Sequence, residues 1–208
     1  MEASGRRAQA ARNDELILDA ARDVFVANPS APIADVAKRA GVGISALYRR
    51  YPSKEHLLRE LCADGLRRYI GAAEAAMADG GDAGRAFEGF MQRVVAADAA
   101  SLTQKLAGTF EPSDDLYRAA TYAGELNEKI FKRAQEAGAI RPDAEVSDLG
   151  LIFEQLASIR LGDDDRTHEL RRRYLKLALD GLRASAQDPL PGPAPTAEEL
   201  TSRWTPKR

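Results

Sequence analysis

The chain has one cysteine, Cys62, one tryptophan, and two histidines, His56 and His168, in 208 residues. A lone thiol excludes an intramolecular disulfide framework, and no Cys/His set has the spacing of a zinc site. Cys62 is expected to pack on a helix face. Two isolated histidines leave little material for acid–base catalysis, and neither a nucleophile–base pair nor a Gly-rich phosphate loop is present. The sequence therefore argues against an enzyme and calls for no cofactor and no metal. No apolar run approaches the ~18 residues of a membrane span. The first dozen residues, MEASGRRAQAAR, have basic residues but no apolar stretch and do not form a signal peptide. The expectation is a soluble, cytoplasmic protein with no membrane partner.

Excess charge of one sign is lacking too. The net charge is -2, which excludes a generally basic nucleic-acid coat protein. The charge is unevenly placed, however: residues 1–60 carry ten Lys/Arg against eight Asp/Glu, and the remainder 20 against 24. The front of the chain is the part better suited to face DNA.

Strand patterns are also missing. Apolar residues recur at three- and four-residue spacing, the period of amphipathic helices. Ile17, Ala20, Ala21, Val24 and Phe25 predict a first helix from Asn13 or Asp14 to Ala27, stopped by Asn28-Pro29. Ser53 is a good N-cap for a helix from Lys54 to about Ala78, which Gly80-Gly81 ends. A long helix follows from Ala83 to about Leu106, with Phe87, Met91, Val94, Asp98 and Leu102 near one face. Ser113 opens a helix that stops at Gly138, Ser147 caps one that stops at Gly162, and a last helix runs from about Arg166 to Ala184. The fold expected is all-α with about nine helices. Residues 1–11 read as a disordered arm, 12–58 as one domain, 59–185 as a second, and 186–208 as a flexible Pro-rich tail.

The most informative stretch is Ile33 to Leu58, IADVAKRAGVGISALYRRYPSKEHLL. It predicts a short helix to Ala40, a turn at Gly41, a second short helix from about Ile44 to Arg50, and the start of another at Lys54. Two short helices joined by a Gly-containing turn form a helix-turn-helix, whose second helix can enter the DNA major groove. Ile33, Val36, Ala37 and Ala40 make one apolar stripe, which Val42 and Leu47 close into a small core. The second helix then exposes Ile44, Ser45, Ala46, Tyr48, Arg49 and Arg50. Arg49 and Arg50 suit phosphate or the O6/N7 edge of guanine. Arg6, Arg7 and Arg12 either reach an adjacent groove or belong to a charged tail.

These residues resemble the TetR/AcrR family of bacterial transcriptional regulators. The resemblance lies in Ala21-Arg22-Asp23-Val24-Phe25, Ile33-Ala34-Asp35-Val36-Ala37, Ala40-Gly41-Val42-Gly43 and Leu47-Tyr48-Arg49-Arg50-Tyr51-Pro52-Ser53-Lys54-Glu55. Farther on, Arg133 to Asp143 and Leu179 to Ala184 look like the carboxy-terminal domain of its SbtR-like branch. The resemblance implies a three-helix DNA-binding domain on a helical ligand-binding and dimerisation domain. It implies that Tyr48 and Lys54 hold phosphates, that Gly43 makes a backbone contact, and that Ile44, Ser45 and Ala46 lie at the base edges. Where the family commonly has Thr, Ser and Thr, this chain has Pro32, Gly43 and Ala46, so three hydroxyls are absent.

The resemblance further implies a homodimeric repressor of a palindromic double-stranded DNA operator, released by a small-molecule effector whose chemistry the sequence does not specify. Ile152, Phe153, Leu156 and Ile159, with Tyr174, Ala178 and Gly181 on the last helix, are expected at a four-helix dimer interface. Candidate effector contacts are Phe87, Met91, Val94, Asp98, Tyr117, Tyr122 and Gln155. Asp98 on an apolar face carries two readings, a contact to a cationic or hydroxylated ligand, or an ion pair with an internal Arg such as Arg160. A helical module with a vestigial helix-turn-helix is the rival to a DNA-binding regulator.

Overall fold

The computed structural model describes residues 2–98, 106, 109–185 and 188–201. Its described residues form nine helices: α1 (Glu2–Ala27), α2 (Ile33–Ala40), α3 (Ile44–Arg50), α4 (Lys54–Ala78), α5 (Ala83–Ala96), α6 (Asp114–Glu136), α7 (Asp148–Ser158), α8 (Asp164–Leu182) and α9 (Ala197–Thr201). The single β-type pairing among them is an isolated antiparallel bridge between Ile140 and Arg183. Two compact units result, Met1–Asp64 and Gly65–Arg208. None of the described helices is long and apolar enough to cross a membrane.

In the first unit the apolar stripes of α1 and α2 converge. Ala21, Phe25, Val26, Val36 and Leu47 are essentially inaccessible to solvent, while Ala40 and Val42 are half-buried at the rim. The turn after α2 needs its glycine: Gly41 has φ +67, and the N–H groups of Gly41 and Val42 return to the carbonyls of Lys38 and Ala37. Ser53 caps α4 as expected, its Oγ accepting from the His56 N–H at 3.0 Å. Cys62 is buried, and that burial pushes its thiol up to about 12.

The second unit encloses a larger core. Phe90, Met91, Val94, Ala134 and Leu149 are fully buried, with Phe153, Leu156 and Leu175 nearly so. Tyr69 meets Phe90 and Phe153 edge-on, at centroid distances of 5.4 and 6.1 Å.

Several boundaries differ from the sequence expectation. Residues 2–11, expected to be a disordered arm, continue α1. A helix already nucleated by packed residues gains a hydrogen bond for each residue added, and this segment is rich in Ala, Arg, Glu and Gln. The long helix expected to Leu106 closes at Ala96, and Asp98 takes a left-handed φ of +49. Leu102 and the side chains of Arg6, Arg7 and Arg12 lie outside the described residues. Ser147 does not cap α7; its backbone is already helical, and Asp148 accepts the Glu145 N–H instead.

The tail, expected to be mobile, is tied to the second unit between 188 and 201. Asp143 accepts the Leu190 N–H at 2.8 Å, and Arg141 donates to the Asp188 carbonyl. Thr196 and Glu199 then form a reciprocal capping box at the start of α9. Leu200 rests over Gly150 of α7, where an added Cβ would meet its methyls at 3.9 Å.

Candidate functional site

The helix-turn-helix is built as its sequence pattern demands. Leu47 of α3 is fully buried against the Val36 side of α2 and leaves the other α3 side chains outward. Successive residues turn by about 100°, so the direction opposite Leu47 falls between Ser45 and Arg49. Ile44 and Tyr48 flank that direction on one side, 40% and 46% exposed, and Ala46 lies on the other. Gly43 precedes α3 with φ -66 and ψ 137 and supplies no side-chain cap. An added Cβ there meets nothing within 4 Å, so packing does not demand the glycine.

Two of the expected DNA contacts have structural partners instead. Arg50 makes a forked pair with Asp14 of α1, both N···O distances being 2.7 Å, and its guanidinium lies 5.5 Å from the Tyr51 ring centroid. Asp14 is the residue that the sequence reading missed, since nothing local marks it as opposite Arg50, 36 positions on. The Lys54 ammonium donates to the carbonyls of Ala31 at 2.7 Å and Pro29 at 3.0 Å, and sits 5.0 Å from the Phe25 ring centroid. Lys54 therefore ties the loop between α1 and α2 to the start of α4, and one of its three N–H groups is left for other acceptors. Arg49 is exposed and has no ion-pair partner among the described residues.

The expected effector set does not converge on one cavity. Met91 and Val94 are core residues without exposure. Phe87 borders an open cleft of about 440 Å³ between the start of α5, the turn at Gly138 and the end of α8. Val94 and Asp98 border a void of about 10 Å³, at most one water in size. Tyr117 and Tyr122 are exposed on α6, and the Tyr122 hydroxyl donates to Glu74 at 3.1 Å, which raises its pKa. Gln155 borders a groove of about 680 Å³ between α7 and α8. Of the two readings of Asp98, the structure supports the ion pair. Its main partner is Arg171 at 2.7 Å, with Arg160 more distant at 3.7 Å.

The expected dimer residues divide as well. Phe153 and Leu156 are each 4% exposed and belong to the core, because their positions on α7 face α5 and α8. Ile152, Ile159, Tyr174 and Ala178 border the α7–α8 groove, together with the exposed Leu161 and Leu177, which the sequence reading did not single out. Gly181 is exposed farther along α8 and is not part of that lining.

Comparison with known proteins agrees with this division. The family described as "Bacterial regulatory proteins, tetR family" matches residues 17–61, and "Transcriptional regulator SbtR-like, C-terminal domain" matches residues 82–184. The HTH-type transcriptional repressor LfrR of Mycolicibacterium smegmatis is 46% identical over 50 residues, 24% of this chain and 26% of that protein. The match thus spans about a quarter of that relative's length. A TetR transcription regulatory protein from Mycobacterium vanbaalenii superposes with a TM-score of 0.58 and 29% identity, covering 85% of this chain and 98% of its own. LfrR from Mycobacterium smegmatis, solved in complex with proflavine, superposes with a TM-score of 0.65 at 21% identity, over 86% of this chain and 99% of its own, a likeness of fold. With one family match falling on the helix-turn-helix and the other on the helical unit behind it, the chain belongs to the TetR family of DNA-binding transcriptional regulators, in its SbtR-like branch.

Proposed function

We propose that the protein is a cytoplasmic, homodimeric repressor that reads a palindromic operator through α3 and leaves it when a small molecule binds the second unit. The observation that carries the reading is the outward face of α3, where Ser45, Tyr48 and Arg49 are exposed around a buried Leu47. Arg49 suits a bidentate contact to guanine, Ser45 a contact to either base type, and the methyl groups of Ile44 and Ala46 the thymine methyl. The Tyr48 hydroxyl and the backbone at Gly43 serve phosphates, and Lys54 joins them only through its remaining N–H. Arg50 contributes by fixing α3 to α1 rather than by contact.

The apolar α7–α8 face supports dimerisation. Tyr174, Leu161 and Leu177 are 50–64% exposed there, and a second copy meeting it about a two-fold axis would cover them. Two α3 helices then address half-sites about 34–36 Å apart, or a larger helical multiple. Selection from random duplex DNA tests the reading. A palindrome is expected, with Arg49→Ala relaxing one position per half-site at a cost of about 1–3 kcal/mol and Tyr48→Phe weakening all sequences alike. If nothing is enriched, the helix-turn-helix is vestigial and the proposal fails.

A further inference from the structure

Among the described residues, Arg141, Thr167 and Arg171 are the buried polar side chains, and two of them act at one corner of the second unit. Arg171 of α8, 3% exposed, sends Nη2 to the Ala157 carbonyl at 3.1 Å, Nε to the Ile159 carbonyl at 3.3 Å and Nη1 to Asp98 at 2.7 Å. One helical turn earlier, the Thr167 hydroxyl exchanges hydrogen bonds with both the N–H and the carbonyl of Leu161, each at 3.2 Å. The two side chains hold the chain from Ala157 to Leu161, where α7 ends and turns into α8. Ile159 and Leu161 of that corner border the α7–α8 groove.

Asp98 extends the grip to a third element. It stands just beyond α5 in the left-handed conformation, φ +49, and its carboxylate is 20% exposed. A buried guanidinium without a counter-charge is costly, so the corner is secure only while Asp98 is in place. The void beside the pair, about 10 Å³, leaves no room for a ligand to substitute for it.

We infer that the Asp98–Arg171 pair positions the dimer-forming face, fixing the corner at Ile159 and Leu161 to the end of α5 so that the face fits a second copy of this chain. The inference rests on the α7–α8 face being where the copies meet. Asp98 and Arg171 are thus positioning residues, not interface contacts. The pair also makes the position of α5, which carries Met91 and Val94, an input to the geometry of the interface.

The test compares full-length variants by sedimentation velocity across concentration, with hydrogen exchange over 157–161 and 174–178. Leu177→Asp, placed on the face itself, is expected to give monomers. Asp98→Asn keeps a residue that tolerates the left-handed backbone and removes only the charge; it is expected to raise the dimer dissociation constant at least tenfold and to speed exchange at the corner. Arg171→Met does the same, and the double variant is no worse than Arg171→Met, because both act through one contact. Should Arg171→Met fail to fold, Asp98→Asn decides. If Leu177→Asp is monomeric while Asp98→Asn dimerises within threefold of the wild type, the positioning role is overturned and the interface stands. If Leu177→Asp remains dimeric, the interface reading fails and takes this inference with it.

Discussion

Lys54 offers the sharpest discrimination between a DNA contact and a structural tie. In Lys54→Met the aliphatic stem stays and the ammonium goes, leaving the carbonyls of Ala31 and Pro29 without their donor and the Phe25 ring without its cation. A hydrogen bond from a charged donor contributes about 1.5–3 kcal/mol, and the cation–ring contact about 0.5–1 kcal/mol at an accessible site. Lys54 is half-buried, so water replaces part of what is lost, and we expect a net destabilisation of ~2 kcal/mol. In a chain of this length that corresponds to a melting temperature lower by ~4–8 °C. Circular dichroism melts measure the first quantity, and gel-shift titrations across a salt series measure the second. Losing one phosphate contact would reduce the slope of log affinity against log salt by about 0.9. The structure predicts a lowered melting temperature and a slope changed by much less than that. An unchanged melt with a slope reduced by about 0.9 would refute the structural role and return Lys54 to the phosphate backbone.

Other expectations follow from the same geometry. Because Arg50 is committed to Asp14 on an exposed surface, Arg50→Met should cost about 0–1 kcal/mol of stability and weaken operator binding less than Arg49→Ala; a larger loss of DNA affinity at Arg50 would contradict the assignment. Tyr51 is pushed up to about 12, chiefly by burial and then by the Asp14 carboxylate, above the value of about 10 expected when unfolded. Its contribution is therefore full below about pH 10 and lost as pH rises towards about 12, so Tyr51→Phe should flatten the alkaline limb of a stability–pH profile. The Asp143 carboxyl lies well below its ordinary value, first through Arg141 and then through the Leu190 N–H. That stabilisation is complete above about pH 4 and falls away below it, and Asp143→Asn should open residues 188–196 to limited proteolysis at neutral pH. Equal protection in the variant would show that Asp143 does not hold the tail.

What was legible in the sequence is what depends on local chemistry. The Ile33–Leu58 pattern marks two helices and a turn because burial follows a 3.6-residue period and Gly41 permits the left-handed turn. Ser53 and Ser113 are read correctly as caps because a hydroxyl that reaches an N–H three residues on needs no distant partner. The all-α fold and the outward face of α3 follow from the same short-range rules.

The tertiary structure decided where long side chains end. Lys54, Arg50 and Arg171 have long flexible side chains, and their partners are 23 to 73 positions away. No periodicity encodes that pairing, so the sequence alone cannot tell a phosphate contact from a tie to Ala31. Phe153 and Leu156 are likewise indistinguishable from Ile152 and Ile159 by composition, and only the packing of α5 and α8 around α7 places the first two inside. The sequence determined the class of protein, through spacing that one helix or one turn can satisfy. The charges that hold its surfaces in position were settled only when distant segments came together, because a buried or half-buried charge is stable only beside a specific partner.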